Sequence, residues 1–424
     1  MNGPSPEIPP EVVDDVGHTS LLIRRARVVS PRPRAGYLRG KDAATLEVRE
    51  RGDILVRRGR IAQVDSEIPP PPGARVVEAE GRVVIPAFVD AHTHACWAGS
   101  RLDEWDLRRA GAGYSEILAS GGGILSTVRS VRECSEVALA ASLRVRLGWL
   151  LQEGTTAVEV KSGYGLDAEN ELKMLRAIRR AGRDWPGQVV PTACLGHALD
   201  PDHPDPVTMV ISEALPAVHE EFPGVAIDAY CEKGAWSVED CVRLFQAARE
   251  LGHPIRIHAD QFNSLGMVEE ALRLGAHSID HLEASTPADL KRLAASPAAG
   301  VLLPVSGFHL DDRYADGRAL LDAGGAVVVA TNWNPGSAPS PSIPLAMGLA
   351  VRKNGLTPAE ALTAVTNNAS TLLGIDDMGC IAPGRRADLV LLRWRDEREL
   401  AHTVGGSPVL LVVCGGRLVA GPAR

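Results

Sequence analysis

The chain has 424 residues, of which 45% are hydrophobic and 23% charged, and its formal net charge is −8. This length is too great for one small domain and suits one large barrel with an accessory part. The acidic balance does not indicate nucleic acid or an anionic membrane as a partner, and no apolar run approaches the roughly 18–20 residues of a membrane span. The seven cysteines are scattered without a CxxC pair and the N-terminus lacks a secretory pattern, so we expect a cytoplasmic protein.

The chain begins with residues 1–17, a stretch rich in Pro and acidic residues that we predict to be a disordered tail. Residues 21–29 follow with the pattern of a short β-strand. Residues 54–64 then contain two β-type stretches around Gly59, which is the signal of a hairpin.

The C-terminal end has the same β character. Residues 387–394 form an apolar run, and residues 409–421 read as a strand, a Gly-Gly turn and another strand. The two ends therefore predict one small β-sandwich-like domain built from residues 18–85 and 379–424. Two unrelated β appendages are the alternative.

The middle of the chain alternates short β-branched runs with helix-sized segments rich in Ala, Leu, Arg and Glu. The β runs begin at Ala87, Thr156, Gln188, Ala226, Pro254, Ser278, Val301 and Ala326. Repeated β–helix units imply parallel strands. Eight such units within residues 86–378 predict an α/β fold, a (β/α)8 barrel of the TIM type, for which ~250 residues are typical. An open doubly wound sheet is the alternative, but the first strand is not followed by GxGxxG.

Histidines cluster where the predicted strands end. His92 and His94 close the first run, His197 the third, His258 the fifth and His281 the sixth. In a barrel the carboxyl ends of all strands ring one mouth, where active sites lie. These five side chains are therefore expected to meet.

The tripeptide His92-Thr93-His94 is the sharpest local signal. Residues two apart on a strand point the same way, so the two imidazoles converge as a divalent metal requires. A solvated or core histidine pair is the alternative for this motif alone. Together with His258 and His281, it predicts a metal site.

Several segments resemble a known family. IPAFVDAHTH is similar to the opening motif of the amidohydrolase superfamily. GSRLDEW, GGGILSTVR, VEVKSGYGLD, IHADQFNSLG, DHLE and NWNPGSAP together resemble the imidazolonepropionase family, in order, from Val83 to Ile375. The resemblance implies a metal-dependent hydrolase with one Zn²⁺ or Fe ion per chain and a small-molecule substrate. The implied reaction opens the cyclic amide of 4-imidazolone-5-propanoate to N-formimidoyl-L-glutamate in histidine degradation.

The resemblance implies His92, His94 and His258 as metal ligands. The family's fourth ligand is an Asp before the Asn-Pro-Gly turn, and this chain has Asn332 there. An amide can offer its oxygen to a metal but has no basic site at neutral pH. Lys161 lies in the second strand and not the fourth, which favours one metal over two.

The resemblance also implies substrate contacts. These are Arg101, Tyr114, Tyr164, His197, Gln261 and Ser337, with Asn334 and Gly336 facing the product. The planar fork of Arg101 suits the propanoate carboxylate; a surface ion pair with Asp103 or Glu104 is the alternative. A purely structural turn is the alternative for the Asn334 segment.

The implied catalytic residues are His281, Gln261 and Asn332. His281 would stabilise the developing oxyanion or orient the water. Gln261 is Glu in some family members, and an amide can bind a ring but cannot move a proton.

Three hypotheses follow. The chain is an imidazolonepropionase with impaired or replaced proton transfer, a related hydrolase or deaminase of another ring, or a non-catalytic metal-binding relative. The retained contact residues favour the first. Large barrels often pair, so we expect a homodimer.

Overall fold

The computed structural model describes residues 20–111 and 122–420, so the predicted tail lies outside the described residues. The strands within that range are β1 (Ser20–Pro31), β2 (Leu46–Arg57), β3 (Arg60–Asp65), β4 (Ala74–Glu78), β5 (Val83–Pro86), β6 (Phe88–Asp90), β7 (Thr155–Lys161), β8 (Gln188–Gly196), β9 (Ala226–Cys231), β10 (Ile255–Ala259), β11 (Ser278–His281), β12 (Ala299–Leu302), β13 (Ala326–Val329), β14 (Leu389–Leu392), β15 (Val409–Cys414) and β16 (Arg417–Ala420).

The helices of the described residues lie mostly between the barrel strands. Their bounds are Leu102–Arg109, Ile124–Glu133, Glu136–Gln152, Ala168–Arg183, Pro206–Met209, Leu215–Glu221, Val238–Glu250, Met267–Arg273, Pro287–Ala295, Pro304–Leu310, Gly317–Asp322, Ile343–Lys353, Pro358–Ala364, Asn367–Leu372 and Glu399–His402, with a 3₁₀ turn at Gly40–Ala44 and a π turn at Val210–Ala214.

Strands β6 to β13 form the predicted barrel. Each strand pairs with the next one along the chain, and all pairs are parallel. The first and last strands are joined just past their ends, where the His94 N–H donates to the Trp333 carbonyl and the Asn332 N–H donates to the His92 carbonyl, both at 3.0 Å. The barrel prediction is confirmed, and the open doubly wound sheet is wrong because these bonds bring its two edges together.

The barrel helices pack through one apolar face each. Ala168–Arg183, for example, buries Met174, Ile178 and Ala181 at spacings of three and four residues, and Arg180 lies on its outer side. Side-chain caps mark where several helices begin, because a Ser, Thr or Asp oxygen accepts an otherwise unpaired N–H of the first turn. These caps are Ser135, Asp167, Ser237 and Thr286.

Strands from both ends of the chain form a second sheet. Its order is β16-β15-β14-β5-β1-β2-β3, with β4 beside β1. Antiparallel pairing of β14 with β5, which leads into the barrel, joins the two ends. The domain built from both termini is confirmed, and two unrelated appendages are wrong. The strands connect as one mixed sheet, and the boundaries at 85/86 and 378/379 stay predictions; β5 runs to Pro86.

The amino-terminal end of the barrel is closed by the loop before the turn Gly40–Ala44. Asn368 holds this loop: its Oδ1 accepts the Leu38 N–H at 2.9 Å, and its Nδ2 donates to the carbonyls of Leu38 and Val327, each at 2.9 Å. Asn368 is 1% exposed, so water cannot replace these bonds. In the described residues none of the helices has the length and hydropathy of a membrane span.

Asn368→Ala should lower the free energy of unfolding by about 2–4 kcal/mol, because buried polar groups left without partners cost ~1–3 kcal/mol each. Denaturant unfolding measures the change. Lys291→Ala, at an exposed position, is the control and should stay within about 0.5 kcal/mol. Equal effects of the two changes would contradict the role of Asn368.

Candidate metal centre and active site

Three imidazoles meet at the carboxyl mouth of the barrel. His92 and His94 follow β6, and His258 lies near the end of β10. Nitrogens of the three rings lie within 4.8 Å of one another, and all three side chains are buried. Burial lowers the pKa of His92 and His94 well below the usual value. Neutral rings keep the lone pairs that a metal ion needs.

Two carboxylates select the tautomers of these rings. Asp280 Oδ2 lies 2.6 Å from His92 Nδ1, and Asp228 Oδ1 lies 2.9 Å from His258 Nδ1. Each Nδ1–H is therefore donated to a carboxylate, and each Nε2 carries a lone pair. His92 Nε2 has no partner among the described residues, and His258 Nε2 lies 3.1 Å from His94 Nε2. Three imidazole nitrogens directed at one point are the arrangement that a divalent metal requires, so the donor set fits such an ion.

The two carboxylates belong to a buried ion network inside the barrel. Lys161 Nζ lies 2.6 Å from Asp228 and 2.7 Å from Glu159, and Arg256 lies 2.7 Å from Glu159 and 2.8 Å from Asp280. Burial and Arg256 alone would lower the pKa of Lys161, but Asp228 and Glu159 outweigh them and raise it. Lys161 is therefore engaged as a structural cation rather than as a metal bridge.

Asn332 lies beside the cluster with a free amide oxygen. Its backbone is left-handed (φ 54°), a conformation that Asn tolerates better than most residues. Its Nδ2 donates to Ser306 Oγ at 2.8 Å. Its buried Oδ1 has no hydrogen-bond partner in the part of the chain that the structure describes. This oxygen is available as a fourth ligand atom.

His281 also lies at the mouth. Its ring centroid is 5.7 Å from that of His258 and 6.3 Å from that of His92. His281 and the following Leu282 both have positive φ, 89° and 74°, so the chain turns sharply at this point. The turn places Glu283 Oε1 3.1 Å from His281 Nδ1. A carboxylate here orients the imidazole through its Nδ1.

His197 and Tyr164 form an aromatic wall beside the cluster. The His197 ring stacks on His94 at 4.6 Å with 15° between the planes, and the Tyr164 ring lies 5.2 Å from His197. His197 Nδ1 donates to the Gly163 carbonyl at 2.9 Å. Burial and His258 lower the pKa of His197 to about 3. This neutral wall suits a flat, polar ring.

Arg101 is paired with Glu104, the alternative that the sequence left open. Its Nε and Nη2 donate to the two Glu104 oxygens at 2.6 and 2.5 Å, and its Nη1 donates to Thr127 at 3.3 Å. The alternative was a pair on the surface, but the Arg101 side chain is only 10% exposed, so this pair is largely buried. Each guanidinium Nη carries two hydrogens, so Nη1 retains a donor for a ligand.

The turn after β13 is held by Asn334. Its Oδ1 accepts hydrogen bonds from the N–H groups of Gly336 and Ser337 at 2.9 and 2.8 Å. Asn334 therefore has a structural role in this turn, whether or not the turn binds a ligand.

Gln261 lies on the loop after β10. Its Oε1 accepts from the Tyr230 hydroxyl at 2.9 Å, which leaves its amide N–H groups for other partners.

Tyr114, the remaining predicted contact, lies outside the described residues. The sequence analysis missed Asp228, Asp280 and Glu283, which contact the imidazoles, and Glu159, which pairs with Lys161 and Arg256. One signal was available for each of them: an acidic residue inside or directly after an apolar strand. Such residues are rarely buried without a partner.

Solved structures share this architecture. The chain superimposes on a 5-methylcytosine deaminase from Klebsiella pneumoniae with a TM-score of 0.71 and 17% identity, covering 95% of this chain and 98% of that one. An E. coli guanine deaminase gives a TM-score of 0.71 at 16% identity, covering 96% and 100%. At this identity the likeness establishes the fold alone.

The family model of the amidohydrolase family matches residues 83–419, and the chain belongs to that family. An imidazolonepropionase of Rubrobacter xylanophilus is 43% identical over 414 residues, 95% of this chain and 99% of the relative. That of Deinococcus radiodurans is 43% identical over 384 residues, 91% and 96%. Within the amidohydrolases the chain therefore groups with the imidazolonepropionases, as its motifs predict.

His258→Ala should release the metal. The change removes one of three converging nitrogens, so a chain that holds about one metal ion should retain under about a tenth of it after dialysis. Elemental analysis measures this. His402→Ala removes a histidine whose side chain is 83% exposed and should keep full occupancy. Full occupancy in both variants would show that the metal lies elsewhere.

Proposed function

We propose that the chain hydrolyses the cyclic amide of 4-imidazolone-5-propanoate and yields N-formimidoyl-L-glutamate, a step of histidine degradation. The relatives named imidazolonepropionase, 43% identical over nearly the whole chain, support this substrate. The observation that carries the proposal is the composition of the mouth. Three converging imidazoles lie beside the flat wall of Tyr164 and His197, with the guanidinium of Arg101 near Tyr164.

We propose His92, His94 and His258 as ligands of one Zn²⁺ or Fe ion, with Asn332 Oδ1 completing the set. Nitrogen and oxygen donors suit both metals. When bound, such an ion polarises the ring carbonyl and lowers the pKa of a water to near neutrality. The chain's own contribution is to hold His92 and His94 neutral by burial. Asp280 and Asp228 fix the directions of the His92 and His258 rings.

The ring and its tail would be held by separate groups. Tyr164 and His197 pack against the imidazolone ring, Gln261 offers an amide hydrogen bond, and Arg101 binds the propanoate. Ser337 is a further proposed contact. It directly follows Gly336, and the Arg101 guanidinium packs against the Gly336 backbone. Tail and ring contacts together would orient the single ring carbonyl toward the imidazole cluster.

Ring opening needs a proton to move from the attacking water to the leaving nitrogen. Asn332 and Gln261 are amides and cannot carry it. His281 can, since an imidazole nitrogen accepts a proton and Glu283 Oε1, 3.1 Å from its Nδ1, holds the ring in place. His281 would therefore stabilise the oxyanion and hold the proton, at lower efficiency than a carboxylate beside the water.

Asn332→Asp should raise kcat by ~10²–10⁴-fold, the usual contribution of a positioned acid–base group. KM should change little, because within the described residues Arg101, Tyr164 and His197 make no hydrogen bond to residue 332. Steady-state assays with freshly prepared imidazolone propanoate measure both constants. Gln246→Glu adds the same charge at an exposed helix position and should leave kcat unaltered.

A fast wild-type chain that Asn332→Asp does not improve would contradict this account of position 332. The proton would then travel through another group, and His281→Ala would show whether it is His281.

The two amides favour a second candidate, a relative that binds metal and ligand without turnover. Neither Asn332 nor Gln261 can act as a base. In that case the chain binds the metal and the substrate-like imidazole-4-propanoate but does not open the imidazolone ring, whereas the Asn332→Asp, Gln261→Glu double variant, which has both acids, does. Turnover by a related hydrolase or deaminase would instead appear with other ring substrates.

Assembly as a homodimer and a cytoplasmic location stay proposals. Light scattering of the metal-loaded protein would show about twice the mass of one chain if the dimer forms. A monomer at micromolar concentration would contradict it.

A further inference from the structure

One buried carboxylate at the mouth gathers an unusual number of donors. Glu104 is 8% exposed, and it accepts from Arg101 Nε and Nη2 at 2.6 and 2.5 Å, from Arg108 Nη2 at 3.0 Å and from the Gly123 N–H at 2.8 Å. Burial alone would raise the pKa of Glu104, but Arg101 and the Gly123 N–H hold it below its usual value. Glu104 is therefore a carboxylate anion.

The two guanidinium groups lie side by side, because both Nη2 atoms bond to the same oxygen, Glu104 Oε1. Two cations and one anion leave this cluster with one net positive charge. Like charges so close together are stable only with an anion between them, so Glu104 fixes the positions of both Arg101 and Arg108.

Both arginines also converge on the turn after β13. A methyl group at Gly336 would lie 3.0 Å from Arg101 Nη1, and Arg108 Nη1 donates to the Gly336 carbonyl at 3.4 Å. The Arg108 side chain is 27% exposed against 10% for Arg101, which places it on the outer side. Within residues 20–111 and 122–420 each Nη1 has one hydrogen-bond acceptor for its two hydrogens, Thr127 for Arg101 and Gly336 for Arg108, so each keeps a donor.

We propose that Arg108 is a second carboxylate-binding group of this site, and that Glu104 is a positioning residue that holds the two guanidinium groups as one receptor. The single net positive charge matches a ligand with one carboxylate on a ring. This inference rests on the proposed function for the ligand class, an imidazole-type ring with a propanoate tail. Arg101 binds the tail from within the mouth, and Arg108 binds it from the rim.

A purely structural role is the competing explanation. Glu104 would then only tie the helix Leu102–Arg109 to Gly123 and, through Arg108, to Gly336. Loss of Arg108 would lower thermal stability and would affect all ligands of the mouth alike. Dependence on the ligand's charge separates the two roles.

The test uses two stable probes, imidazole-4-propanoate and its neutral primary amide, titrated calorimetrically into the metal-loaded full chain. Arg108→Met should weaken the acid by ~10–100-fold, the usual worth of a charge-assisted hydrogen bond, and should change the amide by under about 2-fold. Glu104→Gln should also weaken the acid selectively, because the two arginines then separate. Arg109→Met, the next helix position and exposed, removes the same charge and should alter neither probe.

Equal weakening of acid and amide in Arg108→Met, or no weakening of either, would overturn the proposal, as would tighter acid binding in Glu104→Gln. The metal content and melting temperature of each variant report on folding separately. If the proposed function is wrong, the result is different: the wild-type chain itself would bind acid and amide equally and would not open imidazolone propanoate. If the wild type prefers the acid over the amide and the Arg108→Met variant keeps the same preference, the inference about Arg108 is refuted while the proposed function stands.

Discussion

The geometry of the imidazole cluster depends on burying carboxylates inside the barrel. A carboxylate costs several kcal/mol to remove from water unless a cation and hydrogen bonds replace the solvent. Lys161 and Arg256 supply that compensation for Asp228 and Asp280. The two carboxylates can then orient His258 and His92, so the direction of the ring lone pairs is set by charges that lie below the site, on other strands.

Closure of the barrel fixes the position of residue 332. Its N–H bonds to the His92 carbonyl, and its backbone is left-handed. These constraints act on the main chain and are independent of whether the side chain is an acid or an amide. The chemical consequence of Asn332 is therefore electrostatic. Compared with an Asp at this position, Asn332 gives the imidazole cluster one negative charge and one proton acceptor fewer.

The mouth separates two kinds of recognition. One part is the imidazole cluster, in which burial keeps His92 and His94 neutral. The other part is the Arg101–Glu104–Arg108 cluster, which carries one net positive charge. A ligand with a neutral ring and an anionic tail satisfies both parts without leaving a buried charge unpaired. Asn334 holds the turn at Gly336, against which both arginines pack, through its own hydrogen bonds. This turn therefore keeps its shape without a ligand.

The sequence by itself determined the eight strands of the barrel, the sheet built from both ends and the family. Alternating β and helical segments leave few topologies, and His92-Thr93-His94 followed by His258 marks strand ends that must share one mouth. Only the tertiary structure decided which acids orient those histidines and that Arg101 shares Glu104 with Arg108. His92 and Asp280 are 188 positions apart in the chain. Periodicity describes what one strand or helix prefers, whereas the pairing of buried charges depends on which side chains the closed barrel brings within hydrogen-bond distance.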